Sequence, residues 1–194
     1  MSNKERQVKN SLIYFFSLGA DILIPMVTLP IFTRILNKED YGVLALAQAY
    51  AIFFSGLANF GMMVSYERSY FQYREDKVKT GQLLYTTLGF VLLNFFILGL
   101  LTYFFKASIA KLVTGSVVNG DIIFWALFAQ LFSSASYYYL SYFKNSELAK
   151  KFVFYTITVS SMNALVALLL VVVFRIGVIG IIYAVTDGFK KFKA

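Results

Sequence analysis

The sequence predicts an all-α fold: a polytopic transmembrane helical bundle with five full spans, a truncated sixth and a cytoplasmic N-terminus. Three observations carry that expectation. Five apolar stretches follow one another, Asn10 to Thr33, Tyr41 to Tyr66, Thr80 to Phe105, Ile122 to Phe143 and Phe152 to Phe174, each of 22 to 26 residues. A helix needs about 20 residues to cross the hydrocarbon core of a bilayer. Charged residues fall almost entirely in the gaps between the stretches. Finally, 59% of the 194 residues are hydrophobic and 14% charged, against about 25% charged in a soluble domain, too little to coat a globular surface.

The net charge of +8 would suggest a nucleic-acid partner in a soluble chain. Here the Lys and Arg residues border apolar spans, where they orient a helix in a membrane. Membrane lipids are therefore the expected partner, and no nucleic acid is. The chain has no cysteine and no histidine, which removes disulfides, thiolate nucleophiles, imidazole bases and His/Cys metal sites. No Gly-rich phosphate loop of the GxxxxGKS/T kind is present. Neither a metal nor a cofactor is expected, and no catalytic residue stands out.

The first helix is expected over about 10–35. Lys4, Arg6 and Lys9 before an apolar run resemble the start of a signal peptide, but the run resumes after Asp21 and continues to Thr33. That length predicts a retained membrane helix. Asp21 is the costliest residue in it, because an acid within a span needs water, a cation, a hydrogen-bond partner or a proton. It either lines a polar cavity or serves as a structural ion-pair or capping residue. Pro25 and Pro30 lack the amides that would bond back to the carbonyls of Asp21 and Met26. The result is either a moving gate beside the acid or a static kink. Arg34 closes the span.

The second helix is expected over 41–66. Gln48, Ser55, Asn59, Met62 and Tyr66 recur at offsets that share one helix face. At its end Glu67 and Arg68 precede Tyr70, Phe71, Tyr73 and Arg74. Guanidinium forks suit phosphates and aromatic faces suit sugar rings, although basic residues and Tyr also anchor helix ends at the interface. The third helix is expected over 80–105 after a solvated loop at 74–79. A turn or short surface element is expected between Lys106 and Asp121, where Thr114, Gly115, Ser116, Asn119 and Gly120 cluster.

The fourth and fifth helices are expected over 122–143 and 152–174. Each carries a polar stripe, Gln130, Ser134 and Tyr138 in one and Thr156, Ser160 and Asn163 in the other. Any one stripe reads as hydrogen-bonding glue between helices. Three together suggest a shared hydrated cavity. The partial sixth segment, 176–189, has only 11 apolar residues before Asp187, about half a membrane thickness. It is either a short re-entrant or interfacial piece or a truncated helix, and the small residues of its GVIG opening favour the start of a packed helix that the sequence cuts short. Short connections predict antiparallel neighbours in one membrane domain covering 1–194. Ten Lys and Arg residues fall on the side of the N-terminus and five on the other, leaving aside the closing Lys190, Lys191 and Lys193, which places the N-terminus inside.

The string LPIFTRILNKEDYGVLALAQAY, Leu29 to Tyr50, resembles the opening of the oligosaccharide flippases of the polysaccharide biosynthesis (Wzx-type) family. That family lies within the multidrug/oligosaccharidyl-lipid/polysaccharide exporter superfamily. Pro30, Arg34 and Leu36, then Glu39, Asp40, Tyr41 and Gly42, carry the resemblance. Hydropathy and loop spacing extend it through the later stretches. The resemblance implies a transporter rather than an enzyme, of which this chain is the N-terminal lobe. It implies alternating-access export of an undecaprenyl-phosphate-linked oligosaccharide, a precursor of O-antigen lipopolysaccharide, capsule or exopolysaccharide, across a bacterial inner membrane. A second lobe supplied by another chain is a possible partner. Carried onto this chain, the resemblance makes Asp21, Arg34, Asn59, Glu67 and Arg68 the expected cavity residues. The departure is that every Arg and Lys lies at a span end or in a gap, so a preference for charged substrates does not transfer. The alternatives are a drug or cation antiporter of the same fold with Asp21 as ion site, a non-functional truncated or split-gene half, and, ranked lower, a membrane glycan polymerase.

Overall fold

The computed structural model describes residues 37–168 and ten positions before them: Phe15, Gly19, Ile22, Leu23, Met26, Val27, Leu29, Pro30, Thr33 and Arg34. Those ten are helical. Asp21, Pro25, the sixth segment 176–189 and the end of the fifth stretch lie outside the described residues. From residue 37 onward the elements are α1 (Lys38–Asn59), α2 (Met62–Gln72), α3 (Lys77–Thr114), a 3-10 turn (Val117–Asn119), α4 (Gly120–Asn145) and α5 (Ala149–Leu168). No strand occurs among the described residues. Three helical segments, Lys38–Asn59, Lys77–Thr114 and Val117–Asn145, are long and apolar enough to cross a membrane.

The stretch expected as one helix over 41–66 is two helices. Glu39 and Asp40 in the first turn of α1 favour the positive end of its dipole. The helix then stops at Asn59 because Phe60 takes φ 46° and Gly61 takes φ 73°, a left-handed pair that no α-helix continues through. Hydropathy carries little trace of this break, since apart from Asn59 the residues around it are apolar or glycine.

The third helix is longer than the 80–105 expected. It begins at Asp76, whose carboxylate accepts the backbone N–H groups of Val78 at 3.0 Å and Lys79 at 3.1 Å. The Lys79 amide is the main reason that the Asp76 carboxyl titrates below its ordinary range. At the other end it runs on through Lys106 and Lys111 to Gly115, which closes it at φ 75°. Its 38 residues span about 57 Å, well beyond the hydrocarbon core, so much of the gap expected as a loop is helix. The remainder is the expected turn, tied by Asn119 donating to Thr114 Oγ1 at 3.0 Å.

Helices α1, α3 and α4 pack against one another, α2 lies against α3 and α4, and α5 packs on α4. Leu44, Ala47, Ala51, Ser55 and Ala58 form the buried stripe of α1, and its small side chains let two other helices approach closely. Ile123, Ala126 and Leu127 of α4 and Leu88, Val91 and Phe95 of α3 fill the space opposite. The outward faces are also apolar, with Phe53, Phe96 and Phe104 exposed, as a surface solvated by lipid requires.

Candidate functional site

The polar stripes expected to share one cavity divide into two arrangements. On one side of α4, Ser134 Oγ lies 2.9 Å from Ser55 Oγ and Tyr138 donates to Asn59 Oδ1 at 2.8 Å. The Asn59 amide donates to the Ser55 carbonyl at 3.0 Å and to Ser134 Oγ at 3.4 Å. Asn59, expected as a cavity residue, is thus spent on holding α1 to α4. Gln48, at the far end of the same stripe, is exposed.

The opposite side of α4 faces α5 across a cavity of about 320 Å³. Ser133, Ser136 and Tyr137 line it from α4, and Thr156, Ser160 and Asn163 from α5. Here the stripe predicted on the fifth helix faces open space. Tyr155 donates to Ser136 Oγ at 3.2 Å near its wall, while Ser136 Oγ donates to the Phe132 carbonyl at 2.9 Å. Two polar atoms in the lining, Thr156 Oγ1 and Asn163 Oδ1, are buried and have no hydrogen-bond partner. Thr156 is only 4% exposed. A buried polar atom left alone costs about 1–3 kcal/mol, so an orphaned pair marks a place where a ligand or water group completes the bonding. None of the lining residues among the described ones is charged.

The end of the bundle next to α2 gathers the charges. Glu67 accepts from Ser141 Oγ at 3.0 Å and from Lys144 Nζ at 3.3 Å, so its partners come from α4 rather than from its neighbour Arg68. Tyr70 OH meets Ser146 Oγ at 2.7 Å, and Arg74 forms an ion pair with Glu147. Glu67 and Tyr70 share a face of α2 with Tyr66, which is 1% exposed and packs edge-on against Tyr138 with ring centres 5.8 Å apart. Arg68 lies on the other face with Val64 and Phe71, exposed and without an ion pair among the described residues. Arg34 is likewise exposed, and Pro30, also exposed, accepts a 3.1 Å hydrogen bond from Thr33 at its carbonyl. The two predicted arginines and Glu67 therefore stay apart in function: Glu67 fastens a helix, while Arg68 and Arg34 face outward.

Sequence reasoning overlooked the α4 side of the cavity and two fastenings of α3. Asn94 donates to the Ala58 carbonyl at 2.9 Å, and Tyr50 OH lies 2.8 Å from Thr102 Oγ1. Asn94 was detectable as an amide in the middle of the apolar string VLLNFFIL. The run SSAS, Ser133 to Ser136, likewise supplies hydroxyls to both sides of one helix.

A sequence profile described as polysaccharide biosynthesis protein matches residues 7–187. No curated protein and no solved structure matches the chain.

Proposed function

The chain belongs to the polysaccharide biosynthesis protein family, and on that premise we propose that it is a lobe of an exporter moving a lipid-linked oligosaccharide across a membrane. The observation that carries this reading is the length of the family match, from residue 7 to residue 187. The helical bundle with its three membrane-length segments and the hydroxyl-lined cavity support it. The substrate is a glycan on an undecaprenyl-phosphate type of carrier, and the work is transport by alternating access with no covalent step. The N-terminus lies in the cytoplasm, the chain acts as one membrane domain within a bacterial inner membrane, and a second lobe completes the pathway. Asp21, with Pro25 and Pro30 in the same apolar stretch, is the gating element. Arg34 and Arg68 meet the carrier phosphate.

Deleting the gene from a glycan-coated host tests the reading. Surface polysaccharide should fall while the lipid-linked precursor accumulates on the cytoplasmic side, and Asp21→Ala and Arg68→Ala in the intact gene should each reproduce part of that loss at normal protein levels. A host whose surface polysaccharide is unchanged by the deletion overturns the function. Normal export by both variants overturns only the residue assignments.

A further inference from the structure

We propose that the cavity between α4 and α5 receives an uncharged sugar ring of the transported glycan, while the carrier phosphate stays outside it at the basic end of the bundle. The proposal rests on the export reading above and specifies which part of the substrate goes where.

The lining decides the chemistry. Its hydroxyl and amide groups, Ser133, Ser136, Thr156, Ser160 and Asn163, exchange neutral hydrogen bonds, and a pyranose offers hydroxyls at matching density. Asn163 Oδ1 is an acceptor without a donor, and Thr156 Oγ1 both donates and accepts. Both atoms are closed off as they stand, and a rotation of the Thr156 or Asn163 side chain would bring them to a sugar hydroxyl. The rings of Phe132, Tyr137 and Tyr155 supply flat apolar walls suited to the C–H face of a pyranose. A cavity of about 320 Å³ stands at the lower end of small-molecule sites and has room for a ring or two rather than a long chain.

The same lining, among the described residues, disfavours phosphate. A phosphate placed among neutral groups in a low-dielectric interior lacks the cation that would offset its desolvation. On these two helices the described cations are elsewhere, at Lys144 on α4 and at Lys150 and Lys151 on α5. Ser136 lies eight residues from Lys144, about 12 Å along α4, and Asn163 lies twelve from Lys151, about 18 Å along α5. A phosphate held at those lysines is therefore a few sugar units from these two cavity residues. Lys144 is already bonded to Glu67, which leaves Lys150 and Lys151, both exposed, as phosphate-facing groups in addition to Arg68.

Photocrosslinking in living cells tests the placement. Phe132 is replaced, at the native locus of a host fed tritiated sugar, by the photoreactive residue p-benzoylphenylalanine, and Tyr137 is replaced likewise in a second strain so that one misfolded variant does not decide the matter. Irradiation should attach the tritium label to the protein, and the label should survive mild acid, which cleaves the bond between the anomeric carbon and the phosphate. Adding Thr156→Val or Asn163→Leu should cut labelling at least fivefold. Label that is lost on mild acid would mean that carrier lipid or phosphate occupies the cavity. A host that exports normally with either photoreactive residue and gives no adduct from either would mean that the cavity is not on the substrate path. Both results overturn the proposal and leave the export reading standing. Unchanged surface polysaccharide after gene deletion overturns the export reading itself.

Discussion

Asn94 of α3 donates its side-chain amide to the carbonyl of Ala58, 2.9 Å away, one residue before α1 ends. Carbonyls in the last turn of a helix have no partner of their own, and this one lies inside an apolar bundle where water is scarce. The amide of a neighbouring helix takes the place of the missing turn.

Replacing Asn94 by Leu keeps the branched outline and removes the donor. The protein should lose about 1 kcal/mol of stability, the order found for side-chain hydrogen bonds between membrane helices. Unfolding in mixed micelles with increasing dodecyl sulfate measures it. Gly61→Val should cost as much or more, because a β-branched residue is strained at φ 73°.

Asn59, Ser134 and Tyr138 form one connected network, so their deletions should not add. Tyr138→Phe and Asn59→Leu are each expected to destabilise the chain, and the double variant should recover about 0.5–1.5 kcal/mol relative to the sum. Strict additivity in the same unfolding assay would show that the observed bonds are not energetically coupled.

A methyl group added at Gly120 would stand 3.2 Å from the Lys106 carbonyl oxygen. That oxygen belongs to the backbone of α3, so relief requires the two helices to separate. Gly120→Ala should lower the melting temperature slightly, and Gly120→Leu should cost about 1–3 kcal/mol. The strain falls on the turn between α3 and α4, so cysteine accessibility at introduced Ser116→Cys should rise in parallel, on a background that has no other cysteine.

Asp76 gives the start of α3 a dependence on pH. Its folded carboxyl titrates below the ordinary value, with the Lys79 backbone amide as the largest cause. The contribution is therefore complete above the unfolded value, about 3.9, and fades as pH falls through the lower folded value. Amide exchange at Val78 and Lys79 should accelerate as the solution is acidified through that range. Asp76→Asn should keep much of the cap while removing the pH dependence.

Glu67 and Arg68 are neighbours with separable roles. Glu67→Ala should loosen α2, because Ser141 and Lys144 lose their shared acceptor, and amide exchange across 66–72 should quicken. Arg68→Ala should leave that exchange unchanged, since the guanidinium makes no ion pair among the described residues.

The all-helical, membrane-spanning character was legible because it depends on long apolar runs, which lipid selects directly. Periodicity also identified Asn59, Ser134 and Tyr138, and Thr156 and Asn163, as residues sharing helix faces. It did not say which faces meet. The stripes of α1 and α4 bond to each other and that of α5 faces a cavity, a distinction set by how the helices rotate against one another. The break at Phe60 was illegible because it is a backbone event between apolar side chains. Glu67 misled through adjacency: its neighbour Arg68 points to another side of the helix, and its partners lie more than seventy residues away.

The hydrogen bonds of α1 come in matched pairs. Tyr50 meets Thr102 and Ala58 meets Asn94, eight residues apart on each helix, the mark of two antiparallel rods in step. Ser55 to Ser134 and Asn59 to Tyr138 both span a separation of 79, the mark of two parallel ones. Sliding any of these three helices by a single turn breaks both bonds of a seam at once. The trio α1, α3 and α4 is thereby indexed like a ratchet with only one tooth engaged, and it travels, when it travels, as one piece.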